Sequence, residues 1–295
     1  MSLRPHRPAC LGVAAVLTFS LASGASLASG ADAAARADKV PVPDRMAALG
    51  DSITRGFHSC GLLADCPSRS WSTGHGNRVR GHHSRLLARN SALQSYNDAA
   101  TGAEVVALNG QARQAVTQRA EYVTVLIGAN DACAATESAM TSVADFETRF
   151  RRAMKTLRGG LPNARIFVAS VPDLRRLWAA GKGSLAARSA WSTFKICQSM
   201  LARPTSTSAA DTARRKRVRQ RVIEYNTVLA KICAENPRCR FDGNAVFAHP
   251  FTLAQISKWD YFHPNTAGQN ELARVTYALS YWPAAVTVPR AAHAR

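Results

Sequence analysis

Along this chain, short apolar runs stopped by glycine or proline alternate with longer stretches whose apolar residues recur every three or four positions. Residues 46–49 form the first run and end at Gly50. Residues 122–127 form the strongest and end at Gly128, and residues 165–170 form a third, closed by Pro172. Each has the length and composition of a buried strand. Residues 105–108 and 239–242 are weaker strand candidates. Between the runs the spacing turns helical. Phe146, Phe150, Met154 and Leu157 predict a helix over 145–158, ended by Gly159, Gly160 and Pro162. Val218, Val222, Tyr225, Leu229 and Ile232 predict a long amphipathic helix over 212–235. Residues 82–89 and 111–119 are shorter helix candidates. A closing helix runs from Thr266 through Leu272, Val275 and Leu279, with Pro264 just before its start. Residues 56–81, rich in Gly, Ser, His and Arg, predict a long connection of little regular structure. Residues 180–211 read as a partly helical excursion rather than a separate domain.

Apolar strands alternating with helices predict an α/β fold, with a parallel sheet covered by helices on both faces. Such sheets bind ligands beyond the carboxyl ends of their strands. Three polar stretches fall there: Gly50-Asp51-Ser52, Gly128-Ala129-Asn130-Asp131 and Pro172-Asp173. The 295 residues suffice for one domain with a large core.

The first residues change how the rest is read. Arg4, His6 and Arg7 precede an apolar run from Leu11 to Phe19 and then a stretch of Ala, Ser and Gly. That is the layout of a secretory signal peptide, expected over about residues 1–33 with cleavage near Ala31 to Ala33. Residues 34–44 form a short lead-in, and 45–295 a single domain. Export places the mature chain in an oxidising compartment. Seven cysteines are present, and Cys10 leaves with the signal. Cys60, Cys66, Cys133, Cys197, Cys233 and Cys239 remain, an even number that suggests three disulfides. Short closures suit Cys60 with Cys66 and Cys233 with Cys239, which leaves Cys133 with Cys197. Six cysteines allow 15 pairings, so spacing alone does not fix the partners. A structural zinc site would need a CxxC-like pair or clustered histidines, and neither is present.

Hydrophobic residues at 46% and charged residues at 19% suit a globular protein and exclude a disordered one. The formal net charge of +19 raises nucleic-acid binding, but the arginines are spread along the chain and no zinc-finger or RNA-binding signature occurs. The densest cluster, from Arg214 to Arg221, falls on the long amphipathic helix. An anionic partner such as a lipid headgroup surface fits this charge, as does a solvated, Arg-rich surface with no partner.

Candidate chemistry gathers at the strand ends. Ser52 follows the first strand at a strand-to-helix turn, where free N–H groups can meet developing negative charge. The plain alternative is an ordinary helix-capping serine. A serine hydroxyl needs a base to become a nucleophile. His263, in Trp259-Asp260-Tyr261-Phe262-His263-Pro264, is the best candidate, because Asp260 three residues earlier can fix its tautomer. His58, His75, His82, His83 and His249 lack that arrangement. Asn130 can aim a side-chain amide at an oxyanion. Gly102 can bring a backbone N–H close, and Gly110 competes with it.

Four blocks in this order resemble the SGNH hydrolases, the GDSL lipase/esterase family: Gly50-Asp51-Ser52, Asn97 through Gly102-Ala103, Gly128-x-Asn130-Asp131, and Asp260-x-x-His263-Pro264. The resemblance spans about residues 45–282 and favours Gly102 over Gly110. It implies a flavodoxin-like three-layer α/β/α fold. It also implies Ser52 as nucleophile, and an oxyanion hole from the N–H groups of Ser52 and Gly102 with the Asn130 amide. His263 would be general base and Asp260 its orienting partner. No cofactor or metal is implied. Ser70-Trp71-Ser72-x-Gly74, Gly102-Ala103 followed by Gln111-Ala112, and Gly128-x-Asn130-Asp131-x-Cys133 are similar to the phospholipase B branch and its secreted actinobacterial relatives. The chain departs from that branch at Asn109-Gly110.

The expectation is therefore a secreted, monomeric serine esterase or lipase acting on acyl esters, phospholipids included. A carbohydrate O-acetyl esterase would use the same groups and differ in chain-length preference. A non-enzymatic basic surface binder is the alternative of another class.

Overall fold

The computed structural model describes residues 40–283. The expected signal segment and most of the lead-in lie outside them. Strand β1 (Arg45–Gly50) leads directly into a one-turn helix, α1 (Ser52–Arg55). A long connection follows, then α2 (His82–Leu87), β2 (Gln94–Asn97) and α3 (Leu108–Thr117). Next come β3 (Tyr122–Leu126), α4 (Ala129–Ala132), α5 (Val143–Gly160) and β4 (Arg165–Val168). Helix α6 (Leu174–Gly181) leads into the excursion, which holds α7 (Leu185–Thr193) and α8 (Gln198–Leu201). Helix α9 (Ala209–Ala234), β5 (Cys239–Phe241), α10 (Ala245–Ala248) and α11 (Thr266–Ala278) complete the fold.

All five strands are parallel, in the order β2-β1-β3-β4-β5. This is the flavodoxin-like arrangement, whose chain reversal lies between β1 and β3. Every residue of β3 is buried, as expected when helices cover both faces. On one face α3, α5 and α9 lie side by side, with Phe146 of α5 stacked on Tyr225 of α9 at 4.1 Å between ring centres. On the other face His82 of α2 joins Tyr122 of β3 (2.8 Å) to Thr276 of α11 (2.9 Å). Burial pushes the His82 imidazole down to about 3, so it is a neutral core residue.

One strand expectation is corrected. Residues 105–107 form a 3-10 turn that runs into α3. The strand beside β1 is β2, Gln-Ser-Tyr-Asn, none of whose residues is buried. An edge strand of polar residues carries no apolar run to reveal it.

Three disulfides join Cys60 to Cys66, Cys133 to Cys197, and Cys233 to Cys239. The second ties the end of α4 to the start of α8 across 64 residues, and so anchors the excursion to the carboxyl rim of the sheet. Among the described residues no helix is long and apolar enough to cross a membrane.

Candidate active site

The site forms where β1, β3 and the segment before α11 reach one rim. Gly50 closes β1 with φ of 145°, and a Cβ there would lie 2.1 Å from the Leu126 carbonyl oxygen. Only glycine lets β1 and β3 approach so closely at this point. The Gln111 side chain fixes the same residue from α3. It accepts the Gly50 N–H (2.7 Å) and donates to the Gly50 carbonyl (2.9 Å).

Asp51 caps α1, accepting the Ile53 N–H at 2.9 Å. That places Ser52 at the first helical position. Asn97 braces α1 from β2, donating to the Thr54 carbonyl at 2.9 Å. Ser52 is 4% exposed.

His263 Nε2 lies 2.7 Å from Ser52 Oγ, and His263 Nδ1 bonds the Asp260 Oδ2 carboxylate oxygen. A carboxylate at Nδ1 puts the proton there and leaves Nε2 as acceptor for the serine hydroxyl. The other carboxylate oxygen of Asp260 accepts the backbone N–H groups of Phe262 (3.0 Å) and His263 (3.2 Å). Burial pushes the Asp260 carboxyl up, but the bonds to His263 and Phe262 outweigh it and hold it below its ordinary value. The loop itself is held by Trp191 of α7, whose indole donates to the Tyr261 carbonyl at 3.0 Å, and by the Ser257 N–H on the His263 carbonyl at 2.8 Å.

The donor side is less occupied. Gly102 has φ of 82°, sits in a turn closed by the Ala103 N–H on the Ala100 carbonyl, and is exposed. Its own N–H, like that of Ser52, has no protein acceptor among the described residues. Gly110, the competing glycine, lies inside α3. Asn130 lies at the start of α4 and donates through Nδ2 to the Ala103 carbonyl at 2.9 Å. An amide nitrogen carries two hydrogens, so one donor remains. Asp131, next to it, accepts the Val105 N–H at 2.9 Å. Asn130 and Asp131 together therefore hold the strip of chain that follows Gly102. Burial pushes the Asp131 carboxyl up to about 6 and the Asp51 carboxyl up to about 7, and each Asp has one buried oxygen without a partner among the described residues.

Sequence reasoning gives no role at this site to three residues. His58 is buried and stacks on His263, with ring centres 5.8 Å apart and planes 22° apart. Burial holds its imidazole below the ordinary value. Gln111 and Trp191 act by position, the one on β1 and the other on the His263 loop. His249, which lacks a carboxylate nearby in sequence, meets Glu271 at 3.3 Å.

Beside these groups opens a small apolar cleft of about 50 Å³. Ile53, Ala129, Phe262 and Pro264, the immediate neighbours of Ser52, Asn130 and His263, line it together with Leu177 and Phe251.

A hydroxyl, an imidazole and a carboxyl thus stand in line at the carboxyl rim of a parallel sheet. The chain belongs to the GDSL-like Lipase/Acylhydrolase family, whose profile matches residues 48–270. Membership makes it an ester hydrolase. Three solved structures are similar to it, each alignment covering 80% of this chain. Phospholipase A1 from Streptomyces albidoflavus NA297 is 18% identical, with a TM-score of 0.50 and 99% of its own chain covered. The extracellular lipase from Streptomyces rimosus is 15% identical, with a TM-score of 0.48 and 99% covered. The family 3 carbohydrate esterase from Clostridium thermocellum is 14% identical, with a TM-score of 0.47 and 94% covered. No curated protein matches by sequence.

Proposed function

We propose that this chain is a secreted serine esterase that cleaves acyl esters, those of phospholipids among them, through an acyl-enzyme on Ser52. The carrying observation is the line from the Asp260 carboxylate through His263 to the Ser52 hydroxyl, with 2.7 Å between Nε2 and Oγ. His263 takes the serine proton as Oγ adds to the ester carbonyl, then passes it to the departing alcohol. The N–H groups of Ser52 and Gly102 and the free N–H of Asn130 receive the carbonyl oxygen as it turns anionic. Water, deprotonated by the same imidazole, releases the acid and frees Ser52.

The apolar cleft supports an acyl chain longer than acetyl, because burying each methylene there contributes about 0.8 kcal/mol. The positive charge favours contact with an anionic lipid surface. Export is supported by the signal-like first residues and by the pairing of all six remaining cysteines.

A panel of p-nitrophenyl esters from acetyl to decanoyl, with phosphatidylcholine and an acetylated polysaccharide, tests this reading. Chains beyond acetyl should be preferred, the phospholipid should be cleaved, and Ser52→Ala should be folded and inactive. Activity confined to the acetylated polysaccharide would replace this reading with the carbohydrate esterase. Full activity in folded Ser52→Ala would overturn the mechanism.

A further inference from the structure

Among the described residues seven large apolar side chains stand exposed, and six of them, Leu62, Leu63, Val106, Leu185, Phe194 and Trp259, lie on segments that carry or touch residues of the site. Leu62 and Leu63 lie in the Cys60–Cys66 loop just after α1. Asp65 of that loop meets Arg55 at 3.0 Å and accepts from Thr101, the neighbour of Gly102, at 2.5 Å. Val106 follows the residue that Asp131 holds. Trp259 immediately precedes Asp260. Leu185 and Phe194 bracket α7, whose Trp191 supports the His263 loop. The seventh side chain, Leu279, caps the end of α11. It lies near Tyr281, whose hydroxyl meets the Ile166 and Arg238 carbonyls at the amino ends of β4 and β5.

Lysines flank one side of the rim. Lys195 adjoins Phe194, Lys258 adjoins Trp259, and Lys182 lies three residues before Leu185. All three are exposed, and none is in an ion pair with a described residue. Scattered exposed apolar residues need no explanation, but several on segments that meet at one site mark an interaction surface. Aromatic and aliphatic tips interleaved with lysines suit the boundary of a bilayer, where the apolar part enters and the ammonium meets phosphate.

We propose that the carboxyl rim docks flat on an anionic phospholipid bilayer, with Leu62, Leu63, Phe194 and Trp259 entering the headgroup layer and the cleft mouth facing the lipid. This orientation deepens the esterase reading and rests on it only for its purpose, since the surface can be tested without turnover. Vesicles of ether-linked phosphatidylcholine, with and without ether-linked phosphatidylglycerol, offer no ester to cleave. The full chain should sediment with the phosphatidylglycerol vesicles more strongly than with phosphatidylcholine alone, and less as salt rises. Leu63→Asp and Phe194→Asp should each weaken partitioning by about tenfold, and together by more. Leu63 has φ of 51°, a conformation Asp tolerates better than Leu. Leu279→Asp, at the opposite end, should bind as the parent does. Hydrolysis of soluble p-nitrophenyl butyrate should be unchanged in all three, and equal melting temperatures establish folding. Leu185→Asp replaces any variant that melts early.

Equal partitioning of the Leu63→Asp/Phe194→Asp protein and the parent, an equal loss in Leu279→Asp, or indifference to phosphatidylglycerol would overturn the proposal. A parent that turns over no ester yet partitions in this pattern would remove the esterase reading and leave the surface standing.

Discussion

The imidazole side of the site and the donor side differ in how many of their polar atoms are already engaged. His263 is bound at both ring nitrogens, and Asp260 uses both carboxylate oxygens, one on the ring and one on two backbone N–H groups. Phe57 and Phe262 meet the ring edge-on at 5.0 Å each, and His58 stacks on it. On the donor side the N–H groups of Ser52 and Gly102 are free of protein acceptors among the described residues, and Asn130 spends only one of its two N–H bonds. The first side is complete before substrate arrives. The second keeps donors in reserve. A preorganised base and unspent donors are what acyl transfer asks for, because the oxyanion exists only in passing and must find its partners already aimed.

This contrast orders the expected effects. Asp260→Asn, on the imidazole side, should be more damaging than any change on the donor side. Asn in that place favours the wrong tautomer of His263, and kcat should fall by about 10⁴-fold with the fold intact. Kinetics on a soluble ester measure it. A loss under tenfold would show that the backbone and ring packing orient His263 without the carboxylate.

Asn130→Ala touches the donor side and should cost less, about 10²–10³-fold in kcat with KM little changed. Asn130→Asp is the companion variant, and it also loses the bond to the Ala103 carbonyl. It keeps the volume, loses the donor and should be at least as slow. An Asn130→Ala enzyme within tenfold of the parent would confine the donor side to the two backbone groups.

Much of the fold and site is legible in the sequence because it depends on local order. The apolar runs of β1, β3 and β4 are buried throughout or nearly so, and their composition says as much. Ser52, Asp260 and His263 stand next to recognisable strand and helix boundaries. What is not legible depends on the fold bringing distant chain together. Strand β2 is polar because it is an edge, so nothing in its own residues marks it. His58 is a neighbour of His263 only through a left-handed turn at its own position and across a separation of more than two hundred residues. Gln111 is an ordinary glutamine until α3 sets it against Gly50. The excursion reads as an appendage in the sequence, yet its Trp191 braces the His263 loop.

The smallest effect on rate is expected below the donor side. Asp51→Asn keeps an oxygen to cap α1 and should hold activity within about tenfold. Its signature is in stability. Burial raises the folded-state carboxyl of Asp51 to about 7, well above its value in the unfolded chain. Protonation therefore favours the folded protein. That contribution is fully present below about pH 4 and is lost as pH rises through about 7. The melting temperature of the parent should accordingly fall relative to Asp51→Asn across that window. A constant difference between the two would show that Asp51 is ionised in the folded protein throughout.

The central claim is that the hydroxyl of Ser52 is the group that becomes acylated. Labelling the folded protein with a fluorophosphonate, followed by intact mass and peptide mapping, tests it in one step. The account predicts a single adduct on the peptide bearing Ser52, slowed by His263→Ala and missing from Ser52→Ala. An adduct on any other residue, or undiminished labelling of folded Ser52→Ala, would contradict it.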